Sequence, residues 1–178
     1  MDESEIWKNF KKGSEQDFTS LYRKYAPVMF RYGCKLSDDR DLIKDCLQRV
    51  FFNLWKSREN ISNPPSVKNY LFKALRHEVL KSFGSKHLHD ILPEDYNYHV
   101  EGSYESYLIE VQTAENTKKK ISGSLVKLPP RQREVIFLRY YSNLSYEEIS
   151  DIMGIEQKSV YKLTYKAIEK LQQLFILK

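Results

Sequence analysis

Between residues 87 and 117 the sequence carries seven acidic side chains (Asp90, Glu94, Asp95, Glu101, Glu105, Glu110 and Glu115) and not one lysine or arginine. The run HLHDILPEDYNYHVEGSYES has no helical apolar period and holds Pro93 and Gly102 among polar turn formers. A segment of this kind does not continue a packed helix. It therefore divides the chain of 178 residues into two blocks, 1–86 and 118–178, each the size of a small domain. The first block has 17 basic and 11 acidic residues and the last has 12 and 6, so each carries +6. The overall charge of +5 hides this arrangement of two basic blocks around an acidic one. Such an arrangement suggests an anionic partner.

Composition removes several classes. No stretch approaches the roughly 18 consecutive apolar residues that a membrane span needs. The N-terminal run MDESEIWKNFKKGSE has no apolar signal-peptide core. A cytoplasmic protein with no direct membrane insertion is expected. Two cysteines, Cys34 and Cys46, support neither a disulfide framework nor a four-cysteine zinc site, and they read as small apolar packing residues. Six glycines and six prolines argue against a strand-and-turn architecture. The expected fold is all-α: two small helical domains joined by an acidic linker.

The helices are legible in the apolar spacing. Ile6, Phe10, Phe18, Leu21, Tyr22 and Tyr25 recur at three- and four-residue steps, broken near Lys12-Gly13-Ser14, and a further apolar run begins at Val28 after Pro27. The strongest pattern predicts a helix over 39–59, where Ile43, Leu47, Val50 and Leu54 form one buried stripe and Asp38 and Asp39 cap the start. Asn60-Ile61-Ser62-Asn63-Pro64-Pro65 ends it. Ser66 caps a helix through Val67, Leu71, Ala74, Leu75 and Val79 that ends near Gly84. In the last block, Pro129-Pro130 opens a helix with apolar positions Val135, Ile136, Leu138 and Tyr141. Ser145-Tyr146-Glu147-Glu148 is a capping box for a short helix that buries Ile149 and Ile152 and stops at Gly154. A long helix comes next, with its stripe at Val160, Leu163, Ala167, Leu171 and Leu174.

Short helix, glycine turn and longer helix make a helix-turn-helix layout, so the C-terminal domain is expected to enter a major groove by the start of its second helix. The outward residues there are Glu156, Gln157, Lys158, Ser159, Tyr161 and Lys162. Glutamine pairs bidentately with adenine and lysine contacts guanine. Lys158, Lys162, Lys166 and Lys170 fall at four-residue steps beside Tyr161 and Tyr165, as a phosphate-tracking surface needs. The competing reading is an ordinary solvated helix face.

The run LVKLPPRQREVIFLRYYSNLSYEEISDIMGIEQKSVYKLTYKAIEKL resembles domain 4 of bacterial sigma factors of the extracytoplasmic-function (ECF) group. Leu128-Pro129-Pro130-Arg131-Gln132-Arg133, Leu144-Ser145-Tyr146-Glu147-Glu148-Ile149 and Gly154-Ile155 carry the likeness. Similar helix-turn-helices occur in response-regulator output domains, and the first block decides between the two. Phe18-Thr19-Ser20-Leu21-Tyr22-Arg23-Lys24-Tyr25 is similar to the opening F-x-x-L-Y-x-x-Y of sigma domain 2. Asp45-Cys46-Leu47-Gln48-Arg49-Val50-Phe51-Phe52-Asn53-Leu54-Trp55 resembles its D-x-x-Q-x-x-F-x-x-x-W helix, and Tyr70 to His77 its subsequent aromatic-Leu stretch. Lys44, Arg49, His77, Lys81 and Gly84 depart from the common pattern, so no promoter base preference is carried over.

The resemblance implies a function and its residues. A sigma factor of this group binds core RNA polymerase and directs promoter-specific initiation. By the resemblance, residues 1–86 are domain 2, 87–117 the linker and 118–178 domain 4. Asp45, Gln48, Arg49, Phe52 and Trp55 are positioned to dock on the β′ clamp helices, and the β flap is the second polymerase contact. Phe52 and Trp55 lie off the buried stripe, so they read either as interface anchors or as edge-of-core packing. The −10 element falls to Asn60, Ser62, Asn63, Lys68, Asn69, Tyr70, Lys73, Arg76 and His77, a mixture of base-capturing and backbone-binding types. The −35 element falls to Gln157, Lys158, Ser159, Tyr161, Lys162 and Lys166. The acidic linker reads either as a solvated spacer or as a segment threading the RNA exit path. An anti-sigma factor is an expected partner. No cofactor or metal is expected, since His77 has no second ligand at helical spacing, and no constellation supports catalysis. Two further readings stand beside this one: an autonomous helix-turn-helix regulator, and an adaptor that binds only a regulator protein.

Overall fold

The computed structural model describes residues 3–84 and 123–176. The linker assigned to 87–117, its spacer and exit-path readings, and the domain limits drawn at 86 and 118 lie outside these residues. Among the described residues every regular element is helical. The first block holds α1 (Glu3–Lys11), α2 (Glu15–Leu36), α3 (Arg40–Lys56) and α4 (Val67–Ser82). The last block holds α5 (Pro130–Ile136), which runs on as a π-helical turn at Phe137–Tyr141, then α6 (Tyr146–Met153) and α7 (Gln157–Ile176).

Local chemistry accounts for the boundaries. The Ser14 hydroxyl accepts from the Asp17 amide at 3.2 Å and starts α2. Asp39 does the same for α3, accepting from the Asp41 and Leu42 amides at 3.1 and 2.9 Å. Ser66 caps α4 through the Asn69 amide at 3.1 Å. Each such cap satisfies a helix-end donor that would otherwise be orphaned.

One element differs from the sequence pattern in its continuity: α2 passes straight through Pro27. The proline is exposed, while Tyr25, Ala26, Met29, Tyr32 and Gly33 bury the opposite face. That burial outweighs the one backbone hydrogen bond a mid-helix proline removes.

The stripe Ile43, Leu47, Val50 and Leu54 is buried as predicted. It meets α2 closely: a Cβ built on Gly33 would lie 2.4 Å from Cγ2 of Ile43. Trp7, Phe10, Leu21, Leu71, Phe72 and Leu75 complete this core.

In the last block Pro130 occupies the first turn of α5, where its missing N–H costs nothing. Tyr141, expected on the apolar stripe with Val135, Ile136 and Leu138, is instead 61% exposed. The π turn is the reason. The Ser142 amide bonds back to the Phe137 carbonyl at 3.0 Å, and the wider turn rotates Tyr141 off the buried face. The capping box forms in full: the Glu148 amide donates to the Ser145 hydroxyl at 3.1 Å, and the Ser145 amide donates to the Glu148 carboxylate at 2.8 Å. Gly154 ends α6 at φ +64°, the left-handed conformation that glycine adopts without a Cβ penalty. Along α7, Val160, Leu163 and Ala167 are buried, and Leu171 and Leu174 are only partly so.

The two blocks share one core. Tyr32 of α2 stacks on Phe72 of α4 at 5.0 Å and on Phe137 of the last block at 6.0 Å. Among the described residues no helix is long and apolar enough to cross a membrane.

Candidate nucleic-acid and partner interfaces

The helix-turn-helix presents its second helix, α7, outward. Gln157, Lys158, Lys162 and Lys166 are exposed and Ser159 is half-buried. Tyr161, Lys162, Tyr165 and Lys166 line one open face, alternating flat aromatic surface with mobile positive charge. Tyr161 is not free to swing. Its ring lies 4.1 Å from that of Tyr146, the first residue of α6. The Arg139 guanidinium sits 4.7 Å from the Tyr146 centroid and donates to the Leu144 carbonyl at 2.8 Å. This cation–π contact and tilted ring pair tie the turn before α6 to the first turns of α7. The sequence pattern does not single out Arg139 and Tyr146 as partners. Their contact crosses the bend between helices and leaves no periodic signal.

On α3, Asp45, Gln48, Arg49 and Phe52 are exposed, and Phe52 is 65% so. A phenylalanine this open on an otherwise packed helix makes no contribution to its own core. Trp55 is different. It packs 5.0 Å from Phe18 and 6.2 Å from Phe10, with the Arg58 guanidinium 4.6 Å from its ring. Trp55 therefore serves the core with one side and leaves the remainder accessible. Arg49 is held by Glu78 at 2.7 Å and approaches Cys46 Sγ at 3.2 Å.

The residues expected to meet the −10 element divide into two groups. Asn60, Ser62 and Asn63 are on the α3–α4 loop, with Ser62 exposed. That loop is pinned to α1: the Trp7 indole donates to the Ser62 carbonyl and Lys11 to Asn63 Oδ1, both at 3.4 Å. Tyr70 is half-buried, edge-on to Trp7 at 5.7 Å, and His77 is exposed. The second group faces the other block. Lys68 donates to the Ser142 carbonyl. Asn69 donates to Asp151 Oδ2 at 3.3 Å, and Lys73 pairs with Asp151 Oδ1 at 2.5 Å. Arg76 is buried and pairs with Glu134 at 2.9 Å, and the Tyr32 hydroxyl donates to the same carboxylate oxygen at 2.7 Å.

Burial and these charges perturb the groups involved. Loss of solvent pulls the Lys68 ammonium below its ordinary value. Burial, reinforced by the Glu134 carboxylate, pushes the Tyr32 phenol well above its ordinary value. Glu134 is almost fully enclosed, and its second oxygen has no hydrogen-bond partner. Nothing in the sequence signals this role: Glu134 lies among Arg131, Gln132 and Arg133 and reads as one more charged helix position. Among the described residues no three His, Cys, Asp or Glu side chains are grouped to hold a metal ion.

Comparison with known proteins matches these two halves to two family models. Residues 21–87 match Sigma-70 region 2 and residues 119–171 match Sigma-70, region 4. The ECF RNA polymerase sigma factor SigM of Bacillus subtilis is 24% identical over 156 residues, covering 87% of this chain and 93% of SigM. RNA polymerase sigma factor SigZ of the same organism is 22% identical over 154 residues, covering 86% and 84%. Among solved structures, the sigma factor RpoE of Bartonella quintana, crystallised with the anti-sigma factor NepR, superposes with a TM-score of 0.68. It is 20% identical, with 92% of this chain and 99% of that one covered. CnrH in complex with the cytosolic domain of CnrY gives 0.66 at 16% identity and 99% coverage of both. With both sigma regions on one chain whose described regular elements are all helical, the protein belongs to the sigma-70 family of RNA polymerase sigma factors, in its ECF group.

Proposed function

We propose that this chain binds core RNA polymerase through the exposed face of α3 and directs initiation at promoters that its two blocks read separately. Asp45, Gln48 and Phe52, with the open side of Trp55, meet the β′ clamp helices. The β flap engages the last block. The first turns of α7 read the −35 duplex: Gln157 and Lys158 reach base edges, while Lys162 and Lys166 neutralise phosphates. The loop at Asn60, Ser62 and Asn63 and the face of α4 bearing Lys68, Asn69, Tyr70, Lys73, Arg76 and His77 hold unstacked bases of the −10 element. The chain supplies binding and positioning, and the polymerisation chemistry belongs to the polymerase. An anti-sigma factor is the expected regulator, and the cytoplasm the expected place of action.

The observation that carries this reading is Phe52. A large aromatic side chain, 65% exposed on the region 2 helix, has no packing role to explain it, and such residues are favoured interface anchors. The test is transcription from a genomic-fragment library with purified core polymerase, with and without the protein. New protein-dependent starts that share two upstream elements support the reading. Specific duplex binding without polymerase, and no new starts, would replace it with an autonomous helix-turn-helix regulator.

A further inference from the structure

We propose that α1 belongs to the −10-reading machinery, with Trp7 and Lys11 as positioning residues that hold the α3–α4 loop and Tyr70 in one fixed relation for base capture. The inference rests on the assignment of that loop and of α4 proposed above. The loop has little of its own to hold its shape. Among the described residues, 60–65 make one main-chain hydrogen bond, from the Asn60 amide to the Ser57 carbonyl at 2.9 Å. Pro64 and Pro65 have no N–H to add another. The remaining grip comes from α1, more distant in sequence. The Trp7 indole donates to the Ser62 carbonyl and the Lys11 ammonium to Asn63 Oδ1, both at 3.4 Å. Ser62 and Asn63 both stay exposed, so the grip leaves them open to a ligand. The same indole meets Tyr70 edge-on at 5.7 Å. One side chain, 2% exposed, therefore sets the loop against the α4 ring on which an unstacked base would lie.

A template must itself be fixed, and α1 is. At its start Glu3 pairs with Lys24 at 2.5 Å and accepts from the Tyr25 hydroxyl. Further along, Phe10 is fully buried against Phe18 and Trp55 at 5.7 and 6.2 Å. The helix precedes residues 21–87, the part matched to Sigma-70 region 2, yet it makes two of the contacts that shape the loop inside that part. A loop already held in its binding shape does not lose ordering entropy when a base is captured. Removing one donor returns that cost. A neutral hydrogen bond carries a factor of about 2 to 10, so base discrimination falls by about that factor for each donor removed.

The experiment uses the full chain with core polymerase and a promoter recovered from the genomic-fragment library, randomised over its −10 and −35 elements. Bound DNA is sequenced for wild type, Trp7→Phe, Lys11→Met, Asn63→Ala and Lys11→Met/Asn63→Ala. Trp7→Phe keeps a buried ring and removes the N–H, and Lys11→Met keeps the stem and removes the ammonium. Lys12→Met makes the same charge change at an exposed neighbour. Trp7→Phe and Lys11→Met are each expected to flatten base preference in the −10 element by about 2- to 10-fold and to leave the −35 profile intact. Lys12→Met should match wild type. Lys11→Met should add nothing in the Asn63→Ala background, because it acts through Asn63. If circular dichroism shows Trp7→Phe unfolded, Lys11→Met, half-buried at the end of α1, decides. An unchanged −10 profile in either folded variant, equal flattening of both elements, or full additivity of Lys11→Met with Asn63→Ala would each overturn the positioning role. Asn63→Ala separates this from the reading beneath it. If it leaves the −10 profile intact while wild type still directs initiation, the −10 assignment of the loop fails and the inference with it. If it alters the profile and the two α1 variants do not, only the role of α1 fails.

Discussion

Gly33 is where the first block is least tolerant of an added atom, and Gly33→Ala measures how closely α2 and α3 are packed. The new methyl would start 2.4 Å from Cγ2 of Ile43, with Cδ1 and Cγ1 at 3.3 and 3.4 Å. Ile43 is fully buried and β-branched on a helix, so it has essentially one rotamer and cannot turn aside. Overpacking of this kind costs about 1–3 kcal/mol. Replacing glycine by alanine inside a helix returns roughly 0.5–1 kcal/mol. The clash wins, leaving a net loss on the order of 0.5–2 kcal/mol, or about 1–8 °C in Tm for a chain of this length. The assay is thermal and urea unfolding of Gly33→Ala in three backgrounds. Ile43→Val keeps the branch at Cβ and should retain the penalty. Ile43→Leu moves the branch outward and should abolish it, leaving Gly33→Ala neutral or stabilising there. A Tm rise in the wild-type background, or the same cost in the Ile43→Leu background, would refute the close-packing argument.

The functional surfaces and the buried tyrosines give three more expected outcomes. Phe52→Ala should weaken binding to core polymerase by roughly 30-fold, the effect of losing an interface anchor worth about 2 kcal/mol, with Tm unchanged because the ring is exposed; surface-immobilised polymerase measures the first and calorimetry the second. Lys166→Ala should lower affinity for promoter duplex at every sequence and reduce the slope of log K against log salt by about 1, read by anisotropy across a salt series. Tyr25 and Tyr32 are both raised above their ordinary value, in each case chiefly by burial. A raised folded value means their stabilisation is complete below the unfolded tyrosine pKa of about 10 and is lost as pH climbs toward the folded value. Lys68, lowered by burial, acts in the opposite sense as it sheds its proton below the ordinary lysine value. Urea midpoints should therefore fall with alkaline pH above that of free tyrosine. Tyr32→Phe should flatten the dependence by about 1.4 kcal/mol per pH unit in that window, and an unchanged slope would mean that Tyr32 ionises in the folded chain.

Much of this protein is written locally. Asp39, Ser66 and the Ser145–Glu148 box reach only two or three residues along the chain, so they can be read without a partner. The stripe at Ile43, Leu47, Val50 and Leu54 and the exposed face of α7 arise from a helical period alone. The same locality explains the features that periodicity misses. Pro27 marks a break in any window around it, yet α2 continues because tertiary burial on its far face outweighs one missing hydrogen bond. Tyr141 leaves its stripe because a single π turn changes the pitch. Trp55 reads from spacing as either an interface or a core residue, and its ring contacts with Phe10 and Phe18 place one side of it in the core while the rest stays partly exposed.

Sequence by itself determined the helices, their caps, the basic blocks and the helix-turn-helix, because each depends on neighbours within a turn or two. Only the tertiary structure decided where the cations of α4 go. The Tyr32–Glu134 and Arg76–Glu134 contacts join positions 102 and 58 residues apart. No periodicity encodes a pairing at that range. It arises when two apolar surfaces dock and the charges carried with them must find partners out of water.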